Sequence, residues 1–386
     1  ITCCERFVMK LDNFNIACIT PSQMFAFLDM CFETKSVPNI LGNSGVGKSE
    51  IIKAWVKSRM DRGWFVGTDQ FPEGIIDKRT ATMQPEDFPG LPKFEKDESG
   101  NWRTVLAPPD EWPLADEKLA IFFDEANQGR PQVLGCLYKI TSDRAIGNHK
   151  LSDDAFIIMA GNFASDKGIV NPMPAPLVNR CITVRLVDNL HDGIAHFESI
   201  GMATWNDNSI HVLNFLKMRG ESNDGVNLFH TFQAETAQGR EIFATPRSWE
   251  RQANLMAYRD ADHFNAITHG NLGESASTEF LAYLDIQSQI NPEIFAKILD
   301  GEAPEFPDNI AQRYIICGWM FSAFKKAVDN PEMDKRAVCD SMMAYALTIP
   351  PEYSTIVVSN MEALDKMVVT HSDHFVKYAE HVHCEL

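Results

Sequence analysis

Three short stretches carry the side chains whose types and spacing could do chemistry. Gly42-Asn43-Ser44-Gly45-Val46-Gly47-Lys48-Ser49 fits the phosphate-binding pattern G-x-x-x-x-G-K-[S/T] at every fixed position. Backbone N–H groups of such a loop, with the N-terminus of the following helix, can surround phosphate oxygens. Lys48 would reach the β- and γ-phosphates, and the Ser49 hydroxyl would bind Mg²⁺. Asp124-Glu125 closes an apolar run, so Asp124 would hold Mg²⁺ directly or through water, and Glu125 would polarise the attacking water. Asn162 closes a second apolar run. It could orient that water against the γ-phosphate, or be a simple turn asparagine.

The elements that must position these groups are legible around them. Val37-Pro38-Asn39-Ile40-Leu41 is short and apolar enough for a buried strand, and residues 50–56 have helical spacing. Strand, Gly-rich turn, helix is the context that makes the loop a site. Residues 119–123 and 155–160 are continuous apolar runs, as strands buried on both faces need, and residues 181–187 alternate. Residues 63–67 supply a further strand. The expected fold is therefore α/β: a doubly wound, five-stranded parallel sheet. Ligands of such sheets sit beyond the carboxyl ends of the strands, where Asp124 and Asn162 fall.

Around that core, Pro21 to Met30 reads as a helix capped by Thr20. It packs against an adenine or serves only the core. Residues 131–142 read as a helix. Two hairpins are expected, one turning at Ser99-Gly100 inside a Pro-rich insert at 80–113, the other at Gly147-Asn148. Beyond residue 188 the strand signal fades, and helices are expected at 190–200, 210–218, 246–259 and 277–290. The organisation is thus an N-terminal segment 1–36, a nucleotide-binding core 37–188, a helical lid 189–300 and a helical extension 301–386. Thr245 caps a helix with Pro246 in its first turn, which places Arg247 where the helix dipole disfavours a cation. A residue placed against that preference suits an anionic partner. The tail carries His371, His374, His381, His383 and Cys384, at a spacing that matches no strong zinc pattern, so a solvated helix face is the expectation.

Composition bounds the rest. The 386 residues have 35 Lys plus Arg against 53 Asp plus Glu, a net charge of −18, which repels polyanions and argues against nucleic acid as partner. Nine scattered cysteines without C-x-x-C fit reduced thiols in a cytoplasmic protein better than a disulfide framework. No apolar run approaches the length of a membrane span, and no signal peptide is visible.

In order, Lys48, Asp124-Glu125, Asn162, Arg180 and Arg247 resemble the functional set of AAA+ ATPases. The chain most resembles the MoxR type, of the helix-2-insert clade, whose members pair with von Willebrand factor A-domain proteins. The resemblance covers about residues 35–255. Its more specific parts are Pro85-Glu86-Asp87-Phe88-Pro89-Gly90-Leu91-Pro92, Asp124-Glu125-Ala126-Asn127, Ala160-Gly161-Asn162, Asn179-Arg180 and Thr245-Pro246-Arg247-Ser248-Trp249.

The resemblance implies an ATPase using ATP and Mg²⁺. Asn162 becomes the first sensor, Arg247 the second sensor on a helical lid, and Arg180 an arginine finger acting on ATP held by a neighbouring subunit. A finger acting in trans implies a homo-oligomer, a hexamer, that remodels a protein substrate in chaperone fashion. That substrate would be a von Willebrand factor A-domain protein. Two departures stand out: Gln128 where many relatives have Arg, and Cys181 after the finger where many have Phe. Arg185 or Arg144 could contribute in trans as well. The alternatives of other classes are a nucleic-acid motor or loader on the same core, and a nucleotide-gated scaffold with slow or no turnover.

Overall fold

The computed structural model describes residues 16–114, 116–163, 173–204, 209–221, 227–288, 290–291 and 293–383. It divides at Asn189/Leu190 into two units. The first contains, in chain order, β1 (Cys18–Ile19), α1 (Pro21–Glu33), β2 (Val37–Leu41), α2 (Lys48–Met60), β3 (Ile75–Arg79), β4 (Leu91–Lys96), β5 (Trp102–Ala107), β6 (Ala120–Asp124), α3 (Pro131–Asp143), β7 (Ala145–Ile146), β8 (His149–Lys150), β9 (Phe156–Gly161), α4 (Ala175–Val178) and β10 (Cys181–Leu186).

Six of these strands form one sheet in the order β1-β10-β2-β9-β6-β3, every neighbouring pair parallel. Period-two alternation sends successive side chains of each strand to opposite layers. Along β6, Ala120 and Phe122 join Met24, Leu28, Ile52 and Trp55 on the side of α1 and α2. Ile121 and Phe123 join Val133, Leu134 and Leu137 of α3 on the other side. β9 divides likewise, with Ile158 and Ala160 to the first layer and Ile157 and Met159 to the second. Helices therefore cover both faces, the α/β architecture expected. Each fully buried aliphatic or aromatic side chain contributes about 1.5–3 kcal/mol relative to exposure. α1 is tied to α2 by a polar clamp: Asp29 accepts from Trp55 Nε1 at 2.8 Å, Arg59 Nε at 2.7 Å and Arg59 Nη2 at 2.6 Å.

Two strand expectations need correction. The sheet has six strands rather than five, because the two-residue β1 pairs with β10 at one edge. Residues 63–67 are not a strand. Phe65 is buried in the α1/α2 layer, and Trp64 stacks on Phe32 with ring centroids 4.2 Å apart. They plug the core at the end of α2: Gly63 and Trp64 N–H groups return to Met60 O and Arg59 O, and Val66 N–H donates to Lys118 O at 2.8 Å. The second strand of the core is instead β3, whose Asp77, Lys78 and Arg79 hid it. It is the opposite edge of the sheet, where charged residues are expected. Asp77 pairs with Lys53 at 2.8 Å, and Lys78 pairs with Glu111.

Both hairpins form where expected. β4 and β5 pair antiparallel apart from the main sheet, and β7 pairs with β8 around Gly147. Residues 1–15 of the expected N-terminal segment, Pro172 and Cys384 lie outside the described residues.

The second unit is helical among its described residues. It contains α5 (Leu190–Thr204), α6 (Ile210–Glu221), α7 (Phe232–Ala237), α8 (Pro246–Leu255), α9 (Phe264–Leu272), α10 (Glu274–Ser288), α11 (Glu293–Leu299), α12 (Ile310–Asp329), α13 (Lys335–Ala346), α14 (Pro351–Thr370) and α15 (Phe375–His383). Helices before and after residue 300 share one core, in which Phe215 and Trp249 lie with Ile315, Phe324 and Val357. Asn214 Nδ2 donates to Tyr314 O at 3.2 Å across α6 and α12. Among the described residues no helix is long and apolar enough to cross a membrane.

Candidate active site

Parallel strands bring β2, β9 and β6 to an end on one edge of the sheet, and the loop, Asn162 and Asp124-Glu125 follow those ends directly. Register sets their spacing: Leu41 lies beside Gly161, and Gly42 N–H donates to Gly161 O at 3.2 Å.

Gly45 and Gly47 adopt φ of 79° and 95°, a left-handed backbone that favours glycine. Gly47 is the N-cap of α2, so the helix begins at Lys48 itself. Val46 is buried in the layer of α1 and α2 and anchors the loop from below. Lys48 is only 8% exposed. Its Nζ donates to Gly42 O at 2.7 Å, Asn43 O at 3.0 Å and Asn162 Oδ1 at 2.9 Å. The ammonium is thus desolvated but satisfied, and held where the loop curls round it.

Ser49 Oγ donates to Asp124 Oδ2 at 2.7 Å. Hydroxyl and carboxylate are two hard oxygen donors side by side, a set that suits Mg²⁺ retaining several waters. Asp124 Oδ1 accepts the N–H of Glu125 at 2.9 Å, and its backbone carbonyl accepts Thr80 Oγ1 at 3.0 Å. Glu125 has φ of 54° and ψ of 36°. A left-handed conformation at a non-glycine residue is strained, and such strain gathers at functional sites. Here it breaks the line of β6 and starts a short 3₁₀ turn, Ala126–Gln128. Glu125 is left half-buried at the strand end, without backbone continuity to a further strand.

The turn delivers a residue to which sequence reasoning gave no role. Asn127, 5% exposed, reaches across to β9. Its Nδ2 donates to Asn162 O at 2.5 Å, and its Oδ1 accepts Asn162 N–H at 3.1 Å. The signal available in the sequence was its place three residues after Asp124.

Lys48, Ser49, Asp124, Glu125 and Asn162 therefore meet at one edge, and Arg180, in the same unit, does not. Arg180 precedes β10, whose Cys181 lies beside Val37 at the start of β2. Five strand residues at about 3.3 Å each put it roughly 17 Å from its own Gly42. It is exposed, donates to Pro176 O at 3.0 Å and sits over the Tyr138 ring at 4.4 Å. Burial pushes the neighbouring Cys181 thiol up to about 12, so it is no thiolate nucleophile. Arg247 belongs to the second unit, exposed in the first turn of α8. That turn is sharply set: Ser248 N–H donates to Thr245 Oγ1 at 3.2 Å and Thr245 N–H to Ser248 Oγ at 2.8 Å.

The two substitute arginines are also placed. Arg144 donates to Ser152 O at 3.0 Å and to Ala155 O, at the edge of the sheet away from the loop, and burial lowers its pKa. Arg185 lies beside Leu41 in register and over the Phe163 ring at 4.3 Å, on the edge that carries its own loop. Among the described residues no group of three or more His, Cys, Asp or Glu could hold a metal ion. His371 and His381 instead lie against backbone carbonyls of Met367 and Ile349, at 2.8 and 3.3 Å.

No family model matches the chain, and no curated protein matches it. Among solved structures, NtrX from Brucella abortus in complex with ADP aligns over 95% of this chain and 68% of its own, at 13% identity and a TM-score of 0.35. A likeness of that degree carries no argument here.

Proposed function

We propose that the chain is an AAA+-type ATPase that hydrolyses ATP to ADP and phosphate. One observation carries the reading: Lys48, Ser49, Asp124 and Asn162 converge on a single strand edge, linked pairwise at 2.9 and 2.7 Å. A phosphate loop alone would support nucleotide binding only. The acidic pair and the amide beside it add what hydrolysis requires.

In this reading the loop N–H groups hold the phosphates, and Lys48 turns from its protein acceptors to the β- and γ-oxygens. Ser49 and Asp124 would hold Mg²⁺, which neutralises charge on the β- and γ-phosphates when bound. Glu125 takes up the proton of the attacking water, and Asn162 orients that water against the γ-phosphate. Arg247, on the helical unit, acts as the second sensor.

The finer reading is a ring, hexameric, of the MoxR type. Arg180 supports it: exposed, and about 17 Å from its own loop by the strand rise, it serves only a neighbour's phosphate. The hairpin of β4 and β5 carries Phe94 and Trp102, 74% and 70% exposed, well suited to grip a protein substrate. A von Willebrand factor A-domain protein as that substrate rests on resemblance alone. The test is a steady-state ATPase assay on the wild type and on Lys48→Ala and Glu125→Gln. Activity in the wild type that both variants lose is expected, whereas a Glu125→Gln chain as active as wild type would sink the chemistry.

A further inference from the structure

Resting on the ATPase reading, we propose that Asn127 is a positioning residue that fixes Asn162 for hydrolysis. An asparagine amide offers a donor and an acceptor on one planar group, and a peptide unit presents the complement. Asn127 uses both, taking the N–H of Asn162 at 3.1 Å and its carbonyl at 2.5 Å. The two bonds define the position and tilt of the Asn162 backbone, and with them the direction of its side chain. That side chain ends on Lys48 Nζ at 2.9 Å. The chain of contacts thus runs from the turn after Glu125, through Asn127 and Asn162, to the lysine that meets the phosphate.

A second observation shows that the fold makes room for this clamp. A Cβ on Gly161 would lie 2.6 Å from Asn127 Oδ1 and 2.9 Å from its Cγ. Gly161 has ordinary strand backbone and needs no glycine for its φ. The space beside it is what Asn127 occupies. Asn127 is also held firmly: it sits in a 3₁₀ turn closed by Gln128 N–H on Glu125 O at 2.8 Å. The carboxylate pair and the amide are therefore braced to each other across β6 and β9. Without the brace, Asn162 would sit at a loose strand end, able to leave Lys48 and the water it should aim.

The test pairs two readouts, one of which does not depend on turnover. Asn127→Ala should lower kcat about 10–100-fold and leave ADP affinity, read with a fluorescent analogue, within about threefold, since general positioning of a reacting water is worth that order. Adding Asn127→Ala to Asn162→Ala should cost nothing more, because the two act as one unit. Gly161→Ala should reproduce the Asn127→Ala defect from the other side, and Asn127→Asp, which keeps the acceptor and loses the donor, should fall between. Amide exchange in the segment 156–163 should rise at least tenfold in Asn127→Ala. Wild-type turnover in Asn127→Ala, multiplicative losses in the double variant, or unchanged exchange would each overturn the proposal. A wild type that binds ADP yet never hydrolyses ATP would overturn the ATPase reading instead, and the exchange measurement would still decide whether the clamp exists.

Discussion

Lys48 Nζ and Asn162 Oδ1 are hydrogen-bonded at 2.9 Å, joining the phosphate loop to the end of a different strand. Lys48 has three donors, and three protein oxygens accept from it. In the proposed ATPase, an arriving γ-phosphate would compete with these acceptors, and displacing Asn162 would free its amide to orient a water. Asn162→Ala should accordingly lower kcat about 10²-fold or more with ADP affinity nearly unchanged, whereas Lys48→Ala should lose affinity as well. Parallel losses of affinity in both variants would contradict the separation.

Glu125, the proposed base, has a strained backbone, φ 54°. Asparagine tolerates that conformation better than glutamate does. Glu125→Asn should abolish turnover while leaving the folding stability level or higher, by up to about 1 kcal/mol of relieved strain. Calorimetry on the variant checks it, and clear destabilisation would show that the glutamate side chain supports the fold.

Arg180 offers a complementation test. Arg180→Ala should fall by about 10³-fold at ring-forming concentrations. Mixed with Glu125→Gln, itself inactive, it should recover activity, because some sites then pair an intact Glu125 with an intact Arg180 from the next subunit. No recovery across mixing ratios would place Arg180 outside the neighbour's site.

Asp29 and Arg59 predict a pH dependence of stability. Burial raises the Asp29 pKa, but bonds from Arg59 and Trp55 outweigh it and hold the carboxyl below 3.8. A group whose folded pKa is depressed contributes fully above its unfolded value and loses that contribution as pH falls through the folded one. Asp29→Asn should cost about 2–4 kcal/mol near neutrality, less than a fully buried pair, because Asp29 is 26% exposed. The gap between wild type and variant in urea unfolding should narrow as pH drops below about 4. A gap independent of pH would assign the loss to packing.

What was legible in the sequence was local. The loop, the acidic pair and the apolar runs of β6 and β9 declare themselves because each lies within one short window, and burial on both faces leaves a continuous apolar run. β3 was not legible: as an edge strand it has Ile75 and Ile76 on the core and charge beyond. Residues 63–67 imitated a strand because a core plug needs the same residue types. β1 spans two residues, too few for any period. The Asn127 clamp joins residues 35 apart in sequence, and no spacing rule within one stretch reports a contact between two strand ends. Arg180 and Arg247 were visible as residues, but the roles proposed for them depend on a neighbouring subunit and a bound nucleotide, which no local spacing reports.

Phe122 and Phe123 are chemically identical neighbours committed to opposite layers of the sheet. β6 can therefore drift by exchange of one apolar side chain for another, yet it cannot gain or lose a single residue. One insertion would swap its layers and turn Asp124 away from Ser49. Across related chains, length variation should be absent from this strand and accumulate in the β4–β5 turn, where Gly100 meets open space.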